Sequence, residues 1–275
     1  MGEVGRQVRR AAGAAEDAGD SRGLRLAARV GYAASGLLHL MIGVIALRVA
    51  GGGSGSADQS GAVAQLAASP GGAVLLWVCF LGSVALAVFL LSEALVGARR
   101  LDGKERAQHL LKHLGQAVVY GAIGATFGAA ALGGGGDSSA ASQSWSARLM
   151  AHPAGTVLLY LVGAGIAVAG IWFVHRGVTR GFLKHFGELP PGRAGDAVTW
   201  LGTVGYAAKG VALAVLGGIV VLATARHDPE DSSGLDGALK TLAAQPYGMW
   251  LLGAVAVGLI CYGVFMGVRA RYQRM

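Results

Sequence analysis

The sequence has few charged residues and few cysteines. Only 14% of its 275 residues are Asp, Glu, Lys or Arg, whereas about 25% is usual in soluble globular domains. An ordinary soluble protein is therefore excluded, although the length would allow one or two soluble domains. The two cysteines, Cys79 and Cys261, lie in different apolar segments, so neither a disulfide framework nor a cysteine metal cluster is predicted.

The usual motifs of soluble enzymes are also missing. The sequence contains no Cys-x-x-Cys, no His-Glu-x-x-His and no phosphate-binding Gly-Lys-Ser or Gly-Lys-Thr. No loop offers a nucleophile with a matched base, so we predict no enzymatic activity, no cofactor and no metal site. The glycine runs at 51–53 and 133–136 are predicted to be flexible loops because they lack the context of a phosphate site.

Apolar residues and glycine are abundant instead. Hydrophobic residues make up 53% of the chain, and there are 47 glycines. A helix needs about 20 mostly apolar residues to cross a bilayer, and glycine is frequent in such helices. The sequence therefore predicts an all-α, polytopic membrane protein with six transmembrane helices, at roughly 30–50, 71–97, 114–132, 154–175, 198–224 and 247–268.

Basic residues are distributed unevenly between the predicted loops. Eighteen of the 23 Lys and Arg residues lie in the N-terminal part up to Arg29, in segments 98–113 and 176–197, or at the C-terminus. Because short cytoplasmic loops retain basic residues, we predict an inner-membrane protein with both termini in the cytoplasm and a disordered cytoplasmic tail at residues 1–25. The net charge of +8 has the same origin, so no nucleic-acid partner is predicted.

One sequence unit is written three times. A Pro-x-Gly landmark recurs at 70–72, 153–155 and 246–248, each time with a Leu four residues before the Pro and a Leu-Leu pair after it. Repeats of this kind indicate stacked copies of one supersecondary unit. The three repeats, each with two transmembrane helices, are assigned to residues 26–100, 112–180 and 196–272.

Each repeat reads as a helix, an outer loop, a short amphipathic segment and a return helix. The short segments precede the prolines, at 61–69, 144–152 and 237–245, and their apolar residues recur at helical spacing. The Pro is expected in the first turn of the return helix, where its missing N–H costs nothing. All three hairpins start and end on the same side, which predicts parallel repeats in a pseudo-threefold arrangement, unlike the inverted repeats of many transporters.

The repeated sequence motifs resemble those of a known family. Gly-Tyr-Ala-Ala-x-Gly stands at 31–36 and 205–210, with a drifted copy at 115–120, and a longer pattern that spans the third landmark stands at 237–248. Together with the arginine-rich helix ends, these patterns resemble the bacterial domain-of-unknown-function 1206 family. The resemblance implies a multi-pass membrane protein of three two-helix repeats. It implies no activity, cofactor or catalytic residue.

Three ionisable residues fall within predicted spans: His39, Glu93 and Lys209. Such residues are costly in lipid and by default suggest a functional site, here a polar station at which Glu93 and Lys209 could pair. Structural roles are the alternative: Lys209 could extend to the headgroups, Glu93 could bind Arg99 or Arg100, and His39 could bond a carbonyl across a helix contact.

The repeats differ at two of these positions. Glu93 stands 23 residues after its Pro, where the other repeats have Arg176 and Arg269. Lys209 stands where the first Gly-Tyr-Ala-Ala-x-Gly copy has Ser35. An acid in one repeat and a base in another, without counterparts elsewhere, suit an ion-coupled path. They also suit a single contact that holds repeats one and three together.

Two function classes follow from this interpretation. The favoured one is a conduit for a small solute or ion, with its polar station near Glu93 and Lys209. The alternative is a non-catalytic scaffold that binds lipid or a partner protein, in which the charges only fix helix packing. Membrane lipids are the expected partners in both cases, and the sequence leaves open a homo-oligomer or another membrane partner.

Overall fold

A computed structural model describes residues 22–98, 101–185 and 191–272, with side chains for residues 29–98, 101–183 and 191–272. All regular secondary structure in these ranges is helical, which confirms the all-α prediction. The α-helices are α1 (Arg22–Ala50), α2 (Gln59–Ala67), α3 (Gly72–Gly97), α4 (Gly103–Ala131), α5 (Ser138–Met150), α6 (Pro153–Val178), α7 (Arg193–Arg226), α8 (Gly234–Ala243) and α9 (Gly248–Tyr272).

Six long helices, α1, α3, α4, α6, α7 and α9, are long and apolar enough to cross a membrane. They confirm the six predicted spans, and all of them except α3 extend past the predicted bounds at one or both ends. Helix α4 begins at Gly103 and α7 at Arg193, because Lys, Arg, Glu, Gln and Ala favour helix beyond the apolar segment. For the same reason residues 22–25, predicted as part of the tail, belong to α1; residues 1–21 lie outside the described ranges.

The repeats pack as a ring in which neighbours share helix pairs. The return helix of each repeat lies along the first helix of the next: α3 on α4, α6 on α7, and α9 back on α1. Within the repeats, α7 and α9 pack extensively and α1 and α3 more lightly, whereas α4 and α6 are not a packed pair. The ring is therefore cyclic in its pairing but loose within the middle hairpin.

Two of the three shared interfaces depend on glycine pairs. A methyl group on Gly36 of α1 would lie 2.7 Å from the carbonyl oxygen of Gly263 on α9, and one on Gly170 of α6 would lie 2.6 Å from that of Gly210 on α7. Small residues allow this approach, which lets helices associate by close packing. The α3–α4 interface differs, because Tyr120 takes the motif position of Gly36 and Gly210.

Glycine is required at the three landmark positions for the same steric reason. A Cβ on Gly72, Gly155 or Gly248 would overlap the carbonyl oxygen of the Leu that stands four residues before the Pro, which is Leu66, Leu149 or Leu242. The backbones touch at this corner, so no side chain fits. This contact explains why the glycine recurs in all three repeats.

The position predicted for the prolines is right in one repeat and wrong in two. Pro153 is the first residue of α6. Pro70 and Pro246 instead precede a residue with positive φ, Gly71 (φ 76°) and Tyr247 (φ 61°). The following amide then closes a turn, with Gly72 N donating to Ser69 O over 2.9 Å, and the return helix starts two residues after the Pro. A proline followed by a positive φ is the pattern of a type II turn.

Hydrogen bonds link the short helices α2, α5 and α8 at one end of the ring, which we call the short-helix face. Asp58 accepts from Ser138 Oγ, Ser146 Oγ donates to Ser232 Oγ over 2.8 Å, and the Ala57 amide donates to Asp236 Oδ1 over 2.7 Å. These bonds join repeat one to two, two to three, and three to one. The opposite end carries the basic helix termini, and we call it the arginine-rich face.

Candidate functional site

Lys209 lies near the middle of the longest helix. It stands 16 residues after the start of α7 and 17 before its end, so each end is about 25 Å away. Its Nζ donates to the Tyr262 hydroxyl over 3.4 Å. The same ammonium lies 4.5 Å from the ring centre of Tyr262 and 5.1 Å from that of Phe173, positions in which a cation is attracted to an aromatic face.

His39 of α1 lies against the same tyrosine. Its Nδ1 donates to Ser35 O one turn earlier in α1, over 2.7 Å, so the carbonyl that it binds is on its own helix and not across a helix contact. Its ring centre lies 4.8 Å from that of Tyr262. Two of the predicted site residues are thus joined through Tyr262, and we call His39, Phe173, Lys209 and Tyr262 the Lys209 cluster.

Glu93 does not belong to this cluster. It is half-buried on α3, where its backbone oxygen accepts from His109 Nε2 on α4 over 3.1 Å. Its Oε1 lies against Gly97, 3.0 Å from the position of a Cβ there. Helices α3 and α7 are not a packed pair, and the ion pairs of the described residues do not include Glu93 with Lys209. That pairing is therefore not formed; Arg99 and Arg100 lie outside the described ranges.

The arginines that replace Glu93 in the other repeats contact tyrosines of the next repeat. Arg269 Nη1 donates to the Tyr206 hydroxyl of its own repeat over 3.1 Å, and its guanidinium lies 4.6 Å from the ring centre of Tyr32 in the next repeat around the ring. Arg176 lies 5.9 Å from the ring centre of Tyr206. Both tyrosines come from the Gly-Tyr-Ala-Ala-x-Gly motif, so the arginine and the tyrosine form one recurring contact between neighbouring repeats.

The third interface has lost both partners of this contact. Glu93 takes the place of the arginine, and Gln116 takes the motif place of the tyrosine. The sequence shows these as two separate departures, 23 residues apart. The helix pairing shows that they face one shared interface, between α3 and α4.

A cavity of about 150 Å³ lies at this interface, between α1, α3 and α4. It is partly open to the outside, and the exposed Gln116 reaches it. Ionised side chains are absent from its lining, which consists of Gly31, Tyr32, Leu86, Leu90, Gln116 and Tyr120.

Tyr262 is the functional candidate that the sequence reasoning missed. It is 4% exposed and lies at the centre of the Lys209 cluster. Sixteen residues after each Pro, the repeats have Leu86, Ala169 and Tyr262. Tyr262 thus differs from its equivalents in the other repeats, as Glu93 does, and a comparison of repeats that includes uncharged polar residues identifies it.

The Lys209 cluster combines a cation, a hydroxyl and an imidazole within a hydrophobic ring. The ion pairs between described residues involve Arg226 and Lys240, both at the short-helix face. They do not include Lys209. Groups of three His, Cys, Asp or Glu side chains that could hold a metal are likewise absent from that part of the chain. The cluster can attract an anion or a polar solute, or it can use its cation to hold aromatic rings together.

Comparisons with other proteins agree with the repeat structure. The sequence pattern of the family described as Domain of Unknown Function (DUF1206) matches residues 30–97, 111–180 and 204–273. The uncharacterized protein YxxB of Bacillus subtilis (strain 168) is 32% identical over 251 residues, which cover 90% of each chain. No solved structure matches the chain. The family match covers three successive repeats, as the helices do, and the chain is therefore a multi-pass membrane protein that belongs to the DUF1206 family.

Proposed function

We propose that this protein is a conduit for a small anionic or uncharged polar solute, with the Lys209 cluster as its polar station. The observation that carries the proposal is the position of Lys209 near the midpoint of α7, half-buried inside the helix ring. A cation there costs about 2.5–3.5 kcal/mol on insertion scales, so such residues usually mark solute pathways. This proposal keeps the conduit predicted from the sequence but moves its station from Glu93 to Tyr262 and His39.

The hydrogen bonds of the short-helix face support a conduit closed at that end. Asp58, Ser146, Ser232 and Asp236 are each no more than 5% exposed, and their bonds join all three repeats. The middle hairpin is looser, because α4 and α6 are not a packed pair. A solute would reach Lys209 through this hairpin or from the arginine-rich face.

Flux into proteoliposomes tests the proposal. Chloride and acetate are the probes, with wild type, Lys209→Gln and Lys112→Gln compared at equal protein content. Lys112 is exposed on α4, so its replacement removes the same charge without touching the cluster. We expect wild type and Lys112→Gln to carry at least one anion above empty liposomes, and Lys209→Gln to carry it at least tenfold more slowly. Glycerol is a third, uncharged probe. Wild-type flux equal to that of empty liposomes for all three probes would refute the conduit.

A structural role is the second candidate, favoured by the two aromatic rings against the Lys209 ammonium. Phe173 belongs to α6 and Tyr262 to α9, so the cation joins three helices from two repeats. In this case the protein is a scaffold, and Lys209→Gln lowers the thermal midpoint while wild type shows no flux. The two candidates therefore predict opposite results for wild-type flux.

A further inference from the structure

The cavity between α1, α3 and α4 is explained by what the other two interfaces contain. At the α6–α7 interface the ring of Tyr206 fills the space beside Arg176, and at the α9–α1 interface the ring of Tyr32 fills the space beside Arg269. At the α3–α4 interface the motif position of these tyrosines is Gln116. A phenol ring is missing there, and the cavity lies beside the residue that replaced it.

A second departure from the motif, at Tyr120, also lies at the cavity. Tyr120 stands where Gly36 and Gly210 allow the other helix pairs to touch. Farther along α4, Gly124 and Gly128 restore the close approach, with Gly124 packed on Ser83 and Val84 of α3. The α3–α4 pair thus packs closely at these glycines, and the cavity lies at the level of Tyr120, on the arginine-rich side of them.

We propose that this cavity binds a small uncharged aromatic molecule with one hydroxyl or carbonyl group, a ligand of the phenol class. The ligand takes the place of the tyrosine that the middle repeat lacks. The lining of the cavity shares no residue with the Lys209 cluster, and the proposal does not depend on the conduit.

The size of the cavity suits this class of ligand. An engineered protein cavity of about 150 Å³ holds benzene, and the volume here is also about 150 Å³. Phenol has one more heavy atom than benzene, and the open side of the cavity accommodates it. Larger aromatic ligands would protrude from the cavity beside the exposed Gln116.

The lining selects the chemistry. Leu86 and Leu90 offer apolar surface, while Tyr32 and Tyr120 offer aromatic faces and hydroxyls. The Gln116 amide can both donate and accept a hydrogen bond. An uncharged ring with one polar group satisfies both parts, whereas an alkyl chain would leave these polar groups without a partner in the ligand.

Binding of 4-fluorophenol tests the proposal, observed by fluorine NMR on the full chain in lipid nanodiscs. Partition into lipid is linear in concentration, whereas a site saturates. We expect one saturable binding component in wild type, which phenol displaces. Cyclohexanol, which has a similar size but no aromatic ring, should displace it at least tenfold less effectively. A linear response in wild type, the result of partition alone or of a lipid chain in the cavity, would overturn the proposal. Equal displacement by cyclohexanol would also overturn it.

Three variants locate the saturable component. Gln116→Tyr restores the missing ring and Leu86→Phe fills the same space from α3, so both should abolish the component and raise the thermal midpoint. Val118→Tyr is the matched control, because it adds the same side chain to α4 at a site that is 71% exposed. It should bind as wild type does. If either folded filling variant keeps the saturable component, the ligand is not in this cavity; if one of the two fails to fold, the other decides.

Discussion

At the scale of single residues, the glycines of the Pro-x-Gly landmarks are among the least replaceable small residues at the short-helix face. The overlap that a Cβ would make involves backbone oxygen atoms at Leu66, Leu149 and Leu242. Backbone cannot turn away as a flexible side chain can, so the corner itself would have to move.

We therefore expect opposite effects from two substitutions on α6. Gly155→Ala should lower the free energy of unfolding by about 1–3 kcal/mol, the usual cost of overpacking. Gly165 has open space around its Cβ position, so Gly165→Ala should raise the free energy of unfolding by up to about 1 kcal/mol through helix propensity. Reversible unfolding in mixed micelles measures both. A change of the same sign in the two variants would contradict this account of the landmark.

The candidate site was partly predictable at this scale. His39 and Lys209 were found because ionisable residues are rare in apolar spans, and that signal is local. Their contact through Tyr262 was not predictable, since Lys209 and Tyr262 are 53 residues apart and the rotation of each helix decides what it faces. For the same reason the sequence could not decide whether Glu93 and Lys209 pair.

At the scale of elements, the short helices α2, α5 and α8 act as connectors between repeats. Asp236 lies in the first turn of α8. Its Oδ1 accepts from the Ala57 amide before α2, and its Oδ2 accepts from Lys240 over 2.6 Å. The sequence predicted the short helices from their apolar spacing, but their connections involve loop atoms that carry no pattern.

Removal of the Asp236 carboxylate should expose this connection. Asp236→Ala leaves the buried Ala57 amide without an acceptor, which costs about 1–3 kcal/mol of unfolding free energy, and exchange of the Ala57 amide hydrogen should become faster. Asp231→Ala is the control, because its ion pair with Arg226 is at least half exposed and such pairs contribute about 0–1 kcal/mol. Exchange at Ala57 that is the same in both variants would show that α8 does not hold the first repeat.

At the scale of the whole molecule, the last helix closes the ring onto the first. Gly263 of α9 touches Gly36 and Leu40 of α1, whereas Gly267, one turn later, has open space around its Cβ position. The four-residue spacing of these glycines is visible in the sequence. Only the packing shows that a side chain at 263 would point into the interface and one at 267 would point away from it.

Leucine at these two positions should therefore act differently. Gly263→Leu should separate α9 from α1, with a loss of about 1–3 kcal/mol or more of unfolding free energy and faster hydrogen exchange along α1. Gly267→Leu should not lower stability and should raise the free energy of unfolding by up to about 1 kcal/mol through helix propensity. If the second variant exchanges as fast as the first, ring closure does not depend on this glycine contact.

The sequence by itself determined the six helices, the three repeats and the uneven distribution of basic residues. These properties depend on the length of apolar segments and on residues close together along the chain, so they survive without any knowledge of contacts. The orientation that the basic residues predict, with both termini in the cytoplasm, stays a prediction. The tertiary structure alone decided that neighbouring repeats share helix pairs, that Glu93 and Gln116 lie on two helices that pack together, and that Lys209 faces Tyr262. Those outcomes depend on how closely glycine-containing helices approach and how they rotate about their axes, which no local pattern specifies.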